Sequence, residues 1–132
     1  MNGLITIESD YSVKETIDRL VSIVESKGLT IFSRINHADN ATKTGLDLRP
    51  TELIIFGNPK AGTILMQDNQ MTGIDLPLKA MAWQDEQGKV WLTYNDMNWI
   101  ANRYVLKEKG LSTVKAIEAG ISAACSAAAK KQ

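Results

Sequence analysis

The sequence predicts an α+β domain built on an antiparallel sheet, and three observations carry that prediction. The first is the run Leu53-Ile54-Ile55-Phe56-Gly57-Asn58-Pro59-Lys60, where a β-prone stretch over 52–56 stops at Gly57 and a helix begins. Asn58 suits the N-cap, its side-chain oxygen accepting from first-turn N–H groups. Pro59 suits the first helical position because it has no N–H to leave unpaired. The second is a pair of alternating runs, 78–84 and 89–95, on either side of Asp85-Glu86-Gln87-Gly88. Asp first and Gly fourth fit a type I turn followed by a bulge, which makes the pair a hairpin. The third is the order of signals, β-α-β-(α)-β-α-β-β-α-α, with helices grouped toward the ends. A hairpin with segregated helices favours α+β over a doubly wound α/β sheet.

In chain order, Leu4 to Glu8 reads as a strand. Ser12-x-x-Glu15 has capping-box form, and Val13, Ile17, Leu20, Val21 and Val24 follow at helical spacing until Gly28 stops the helix. Leu29 to His37 alternates, so Leu29, Ile31, Ser33, Ile35 and His37 are expected on one face of a second strand. Residues 38–44 read as a short helix before Gly45. After the central strand and capped helix, Gly73 to Pro77 forms a bend. In the hairpin, a three-residue loop sets Asp85 opposite Lys89, Trp83 opposite Trp91 and Met81 opposite Thr93. Ala80, Ala82, Val90, Leu92 and Tyr94 then share the other face. Asp96 caps a helix that Gly110 is expected to stop, and Ser112 is expected to cap a last, alanine-rich helix. Its stripe is Val114, Ile117, Ile121, Ala124, Cys125 and Ala128.

At 132 residues the chain reads as a single domain, 1–132, large enough to bury a core. Fifteen basic and 15 acidic side chains give zero formal net charge. They form no basic stripe, so no nucleic-acid partner is expected. A lone cysteine rules out an internal disulfide and a cysteine-rich zinc site. No apolar run approaches the ~20 residues of a membrane span. The opening Met1-Asn2-Gly3-Leu4 has no signal-peptide character, which predicts a cytoplasmic location and no membrane partner.

Five segments together resemble the bacterial and archaeal family called domain of unknown function 302. They are Ile35-Asn36-His37-Ala38, Gly45 to Leu53, Phe56 to Lys60, Asp75 to Lys79, and Trp91 to Asp96. Their order and spacing match over roughly residues 3–130. The resemblance implies a TATA-binding-protein-like α+β fold, a curved antiparallel sheet of about five strands backed by helices, and a homodimer. It implies no activity, and shared architecture with a DNA-bending protein is no argument for DNA binding.

The candidate ligand-binding residues are His37, Asn58, Lys60, Asp75 and Arg103. A helix start carrying Asn58 and Lys60 can cradle a small anion, with Arg103 or His37 as a second contact. Gly57 to Thr63 lacks the Walker order, because Lys60 precedes the second glycine. No His/Cys spacing supports a metal, and no cofactor is expected. Met81, Trp83 and Trp91 would leave an apolar patch on one sheet face, to be covered by the helix over 59–70, by a second subunit or by a ligand. The expected function is therefore a noncatalytic, dimeric domain that binds a small anion or a partner. The alternative is a small enzyme gathering His37, Lys60, Asp75 and Arg103 in one cleft.

Overall fold

The computed structural model describes residues 2–131. Five strands, β1 (Leu4–Ser9), β2 (Thr30–Asn36), β3 (Thr51–Gly57), β4 (Leu78–Gln84) and β5 (Val90–Asn95), form one sheet in the order β1-β5-β4-β3-β2. Every neighbouring pair is antiparallel. Five helices accompany it: α1 (Val13–Ser26), α2 (His37–Lys43), α3 (Pro59–Asp68), α4 (Met97–Tyr104) and α5 (Glu108–Ala129). A single 3-10 turn, Gln70–Ile74, follows α3, and the Leu76–Pro77 peptide after it is cis.

The core lies between one face of the sheet and the pair α1 and α5. Along β3, β4 and β5 burial alternates residue by residue, the period of a sheet covered on one side. Ile54, Phe56, Ala80, Ala82, Leu92 and Tyr94 point into the core. Helix α1 meets them with Ile17, Leu20 and Val24, and α5 with Val114, Ile121, Ala124, Cys125 and Ala128. The small side chains at Ala80, Ala82 and along α5 let the layers approach closely. The hairpin register is the one the three-residue loop dictates. Trp83 pairs with Trp91 and Met81 with Thr93, and the Asp85 N–H donates to the Lys89 carbonyl at 2.8 Å.

The local stops and caps follow their chemistry in most places. The Glu15 N–H donates to Ser12 Oγ at 3.1 Å, and Gly28 takes a φ of +76° just past α1. Asp96 Oδ1 accepts from Asn98 and Trp99 at the start of α4.

Two expectations need correction. Leu29 to His37 is not one alternating strand. A β-bulge at Phe32 inserts an extra residue, so Ile31 lies opposite Phe56 and Ser33 opposite Ile55. Beyond the bulge the faces exchange: Arg34 joins the helix-covered side, Ser33 and Ile35 take the other, and His37 leaves the strand to open α2. Arg34 then bridges Asp18 of α1 at 2.8 Å and nearly buried Glu52 of β3 at 2.9 Å. A charge as enclosed as Glu52 needs such a partner.

The second correction concerns the last two helices. Helix α4 ends at Val105, which adopts a left-handed φ of 52°, and Gly110 and Ser112 lie inside α5. The α5 start is served from a distance, since the Lys107 N–H donates to Asp68 Oδ2 of α3 at 2.7 Å. Gly110 is buried against that same carboxylate, where a side chain would collide with it. No local signal marks a cap whose acceptor lies 39 residues earlier.

Candidate functional site

The corner between β3 and α3 forms as its sequence dictates. Asn58 Oδ1 accepts from the Lys60 N–H at 2.9 Å and the Ala61 N–H at 3.4 Å, and the Asn58 carbonyl takes the Gly62 N–H at 3.0 Å. Pro59 has no N–H. The first-turn donors that would receive an anion are therefore already engaged, and Lys60 is an exposed charge beside them. An anion at this corner has to displace the Asn58 side chain.

The five candidate ligand residues do not converge. His37 follows Asn36, which lies opposite Glu52 at the start of β3, whereas Asn58 follows the end of that strand. Six residues at ~3.3 Å each put the two about 20 Å apart, too far to share a small ligand. Asp75 and Arg103 do meet: Arg103 Nη1 donates to Asp75 Oδ2 at 3.0 Å. Tyr104 also donates its hydroxyl to that carboxylate oxygen, and this hydrogen bond raises the Tyr104 pKa. The Arg103 guanidinium lies over the Trp99 ring at 5.4 Å and the Tyr104 ring at 5.5 Å. These contacts tie the turn before Pro77 to α4. None of His37, Lys60, Asp75 and Arg103 lines any of the five clearest cavities, and no His/Cys/Asp/Glu cluster among the described residues could hold a metal.

Two apolar cavities open beside the Asn58 corner instead. One of about 250 Å³ reaches toward Phe32, Met66 and Leu76, and one of about 200 Å³ reaches toward Leu29, Gly120 and Lys27. Gly57, Asn58, Ala61, Leu78 and Ile117 line both, so the two meet as one trough between α3, α5 and the ends of β3 and β4. Of the lining residues only Asn58 is among the ligand candidates read from the sequence. Apart from Lys27, Thr63 and Thr113, the rest are apolar and small residues drawn from several elements and loops.

The second feature is the sheet face away from α1 and α5. Register places Trp83, Trp91, Met81, Leu53, Ile55 and Ile35 on it, all partly buried. Helix α3 does not fold over this face; it packs on α5. The tryptophan rings lie 6.4 Å apart and tilted by 31°. Their indole N–H groups are both satisfied, Trp83 by Thr93 Oγ1 and Trp91 by Asp85 Oδ2, each at 2.9 Å. The Trp91 bond, followed by the Lys89 and Gln87 backbone N–H groups, lowers the Asp85 pKa. Within the strands, Glu8 and Lys79 are the charged residues on this face.

Fold and site together define a single-sheet α+β domain with one open sheet face, one apolar trough and no assembled catalytic constellation among the described residues. The chain belongs to the family described as Domain of unknown function DUF302, whose match covers residues 5–128. The crystal structure of an uncharacterized conserved DUF302 protein from Bacillus stearothermophilus superposes with a TM-score of 0.84 at 18% identity, covering 97% of this chain and 99% of that one. At that identity the likeness concerns the fold. Among curated proteins, a sequence named fluoride-specific ion channel FluC 1 from Brucella suis biovar 1 is 51% identical over 121 residues, 92% of this chain and 46% of that protein. FluC 1 of Brucella abortus biovar 1 is likewise 51% identical, with 44% of its length covered. The chain thus spans less than half the length of these relatives. Among its described residues, no helix is long and apolar enough to cross a membrane.

Proposed function

We propose that this chain is a noncatalytic binding domain that works as a homodimer, joined across its open sheet face, with the trough as its ligand site. The observation that carries the reading is the partly buried row of Trp91, Trp83, Met81, Leu53 and Ile55 on the face away from α1 and α5. Contiguous apolar surface of this kind marks an interaction site. Five strands ~4.8 Å apart and about seven residues long present roughly 550 Å² in plan. Side-chain relief brings that close to the about 800 Å² per partner of a stable interface. One acidic and one basic residue on the strands leave no like-charge barrier to self-association, and twofold pairing of one patch with itself is the commonest closed assembly.

The dispersal of His37, Lys60, Asp75 and Arg103 counts against the enzyme alternative, because general acid–base work needs its groups within hydrogen-bond reach of one substrate. The relatives named as fluoride channels support a related reading, in which the domain serves beside a membrane channel as a binding unit. The test of the dimer is sedimentation at micromolar concentration, with about twice the 14.5 kDa chain mass expected. Met81→Lys, which sets a charge at the middle of the face, should give a folded monomer. A wild-type monomer at the highest soluble concentration, or a Met81→Lys dimer, would remove the interface.

A further inference from the structure

We propose that the trough beside Asn58 takes an amphiphilic monocarboxylate, its apolar body lying between α3 and α5 and its carboxylate against Lys27. The proposal rests on the binding-domain reading above and names the ligand class. Each cavity alone, at about 250 and 200 Å³, is smaller than the roughly 300–1,000 Å³ usual for a small-molecule site. Sharing five lining residues, they reach that range as one elongated space suited to a chain-like ligand.

The lining decides what such a ligand carries. Two of its polar members have spent their donors within their own helices: the Thr63 hydroxyl donates to the Pro59 carbonyl at 2.7 Å, and the Thr113 hydroxyl donates to the Lys109 carbonyl at 3.0 Å. At Asn58 the side-chain oxygen is taken up by the α3 cap, and its amide nitrogen has no hydrogen-bond partner among the described residues. Lys27, at the C-terminal end of α1, is the one charged residue lining either cavity. Its ammonium has no ion pair or hydrogen bond among the described residues. A sugar, a nucleotide or a polyphosphate would bury many polar groups without partners, which is costly. A ligand with one anionic group at one end and hydrocarbon behind it leaves none unpaired. The tail then runs toward Phe32, Met66 and Leu76, where the lining is apolar.

Gly120 lines the Lys27 end of the trough. A Cβ placed on Gly120 of α5 meets nothing within 4 Å. Gly120→Leu therefore extends into free space and replaces a poor helix former by a good one. It should fill that half of the trough and leave the fold intact.

Octanoate is the probe, with 1-octanol as the uncharged control, followed by amide shifts in 1H–15N spectra. Octanoate should move the amides of Gly57, Ala61, Gly62, Ile117 and Gly120 and raise the melting temperature by mass action. Lys27→Gln should weaken octanoate by about two- to fivefold, the worth of one exposed charge pair, and leave octanol unchanged. Gly120→Leu should abolish binding of both while melting no lower than wild type. No shifts with octanoate, or shifts that persist in Gly120→Leu, would overturn the site. Octanoate binding unchanged in Lys27→Gln would overturn the carboxylate assignment. Neither Lys27 nor Gly120 lies on the open sheet face, so sedimentation of the same variants reports on the dimer independently.

Discussion

Gly110→Ala is expected to destabilise the protein although it improves a helix. In isolation the change should help, since glycine is about 1 kcal/mol less favourable than alanine in a helix interior. Here the new methyl collides with the Asp68 carboxylate, which accepts the Lys107 N–H at 2.7 Å and so caps α5. Moving Asp68 aside gives up a charge-assisted hydrogen bond at a helix start, worth about 1–2 kcal/mol. The single variant therefore ends up to about 1 kcal/mol less stable than wild type. In an Asp68→Ala background the cap is already gone and the collision with it. There the same glycine change should be more favourable than in wild type by about 1–2 kcal/mol. The Leu106 Cβ, at 3.2 Å from the added atom, crowds it in both backgrounds and cancels in the comparison. Urea unfolding of the four proteins in a double-mutant cycle gives the coupling directly, expected at about 1–2 kcal/mol. Gly110→Ala changing stability by the same amount in both backgrounds would refute the distant cap.

Asn58→Ala should lower stability by about 0.5–2 kcal/mol through loss of the α3 cap. It should also expose the Lys60 and Ala61 amides to phosphate, visible as amide shifts that wild type does not show. Asp85 is held below the usual aspartate range by the Trp91 indole and the loop amides. Its contribution is present above the unfolded-state value of about 3.9 and fades as pH falls through the lower folded value. The NMR signal of the Trp91 indole N–H should accordingly shift as Asp85 protonates, below the usual aspartate range, and show no such step in Asp85→Asn. Burial pushes the Cys125 thiol up to about 12. Reaction with a disulfide reagent at pH 8 should therefore track unfolding rather than the native protein.

Most of the fold was legible because it rests on local signals. The Gly57-Asn58-Pro59 corner, the Asp85–Gly88 loop and the Gly28 stop each carry their geometry within a few residues. The bulge at Phe32 was not legible, since Ile31, Ser33 and Ile35 alternate as smoothly as in an uninterrupted strand. What breaks the alternation is the pull of Arg34 toward Asp18 and Glu52, and those partners come from α1 and β3. The start of α5 was hidden for the same reason, with Gly110 and Ser112 imitating a local stop and cap. Of the candidate site residues, Asp75 and Arg103 meet because the turn before Pro77 packs on α4. The trough was not legible because Lys27, Phe32, Met66, Ile117 and Gly120 carry no shared motif and become neighbours only after folding.

The strand order has a consequence for how the chain assembles. Strands β2 to β5 pair in sequence order, so each can dock on the one before or after it. β1 instead waits for β5, pairing Leu4 with Asn95. The junction behind β1 is latched later still. The Asp10 N–H donates to the Ala129 carbonyl at 2.7 Å, the Asp10 carboxylate accepts from Lys131 at 2.8 Å, and Arg19 reaches the Ala127 and Ala128 carbonyls. Closing so long a loop is entropically slow. Among the five strands, β1 is thus the one whose partner lies farthest along the chain. While it is unpaired, β5 is an open edge on which the β1 of another copy can pair.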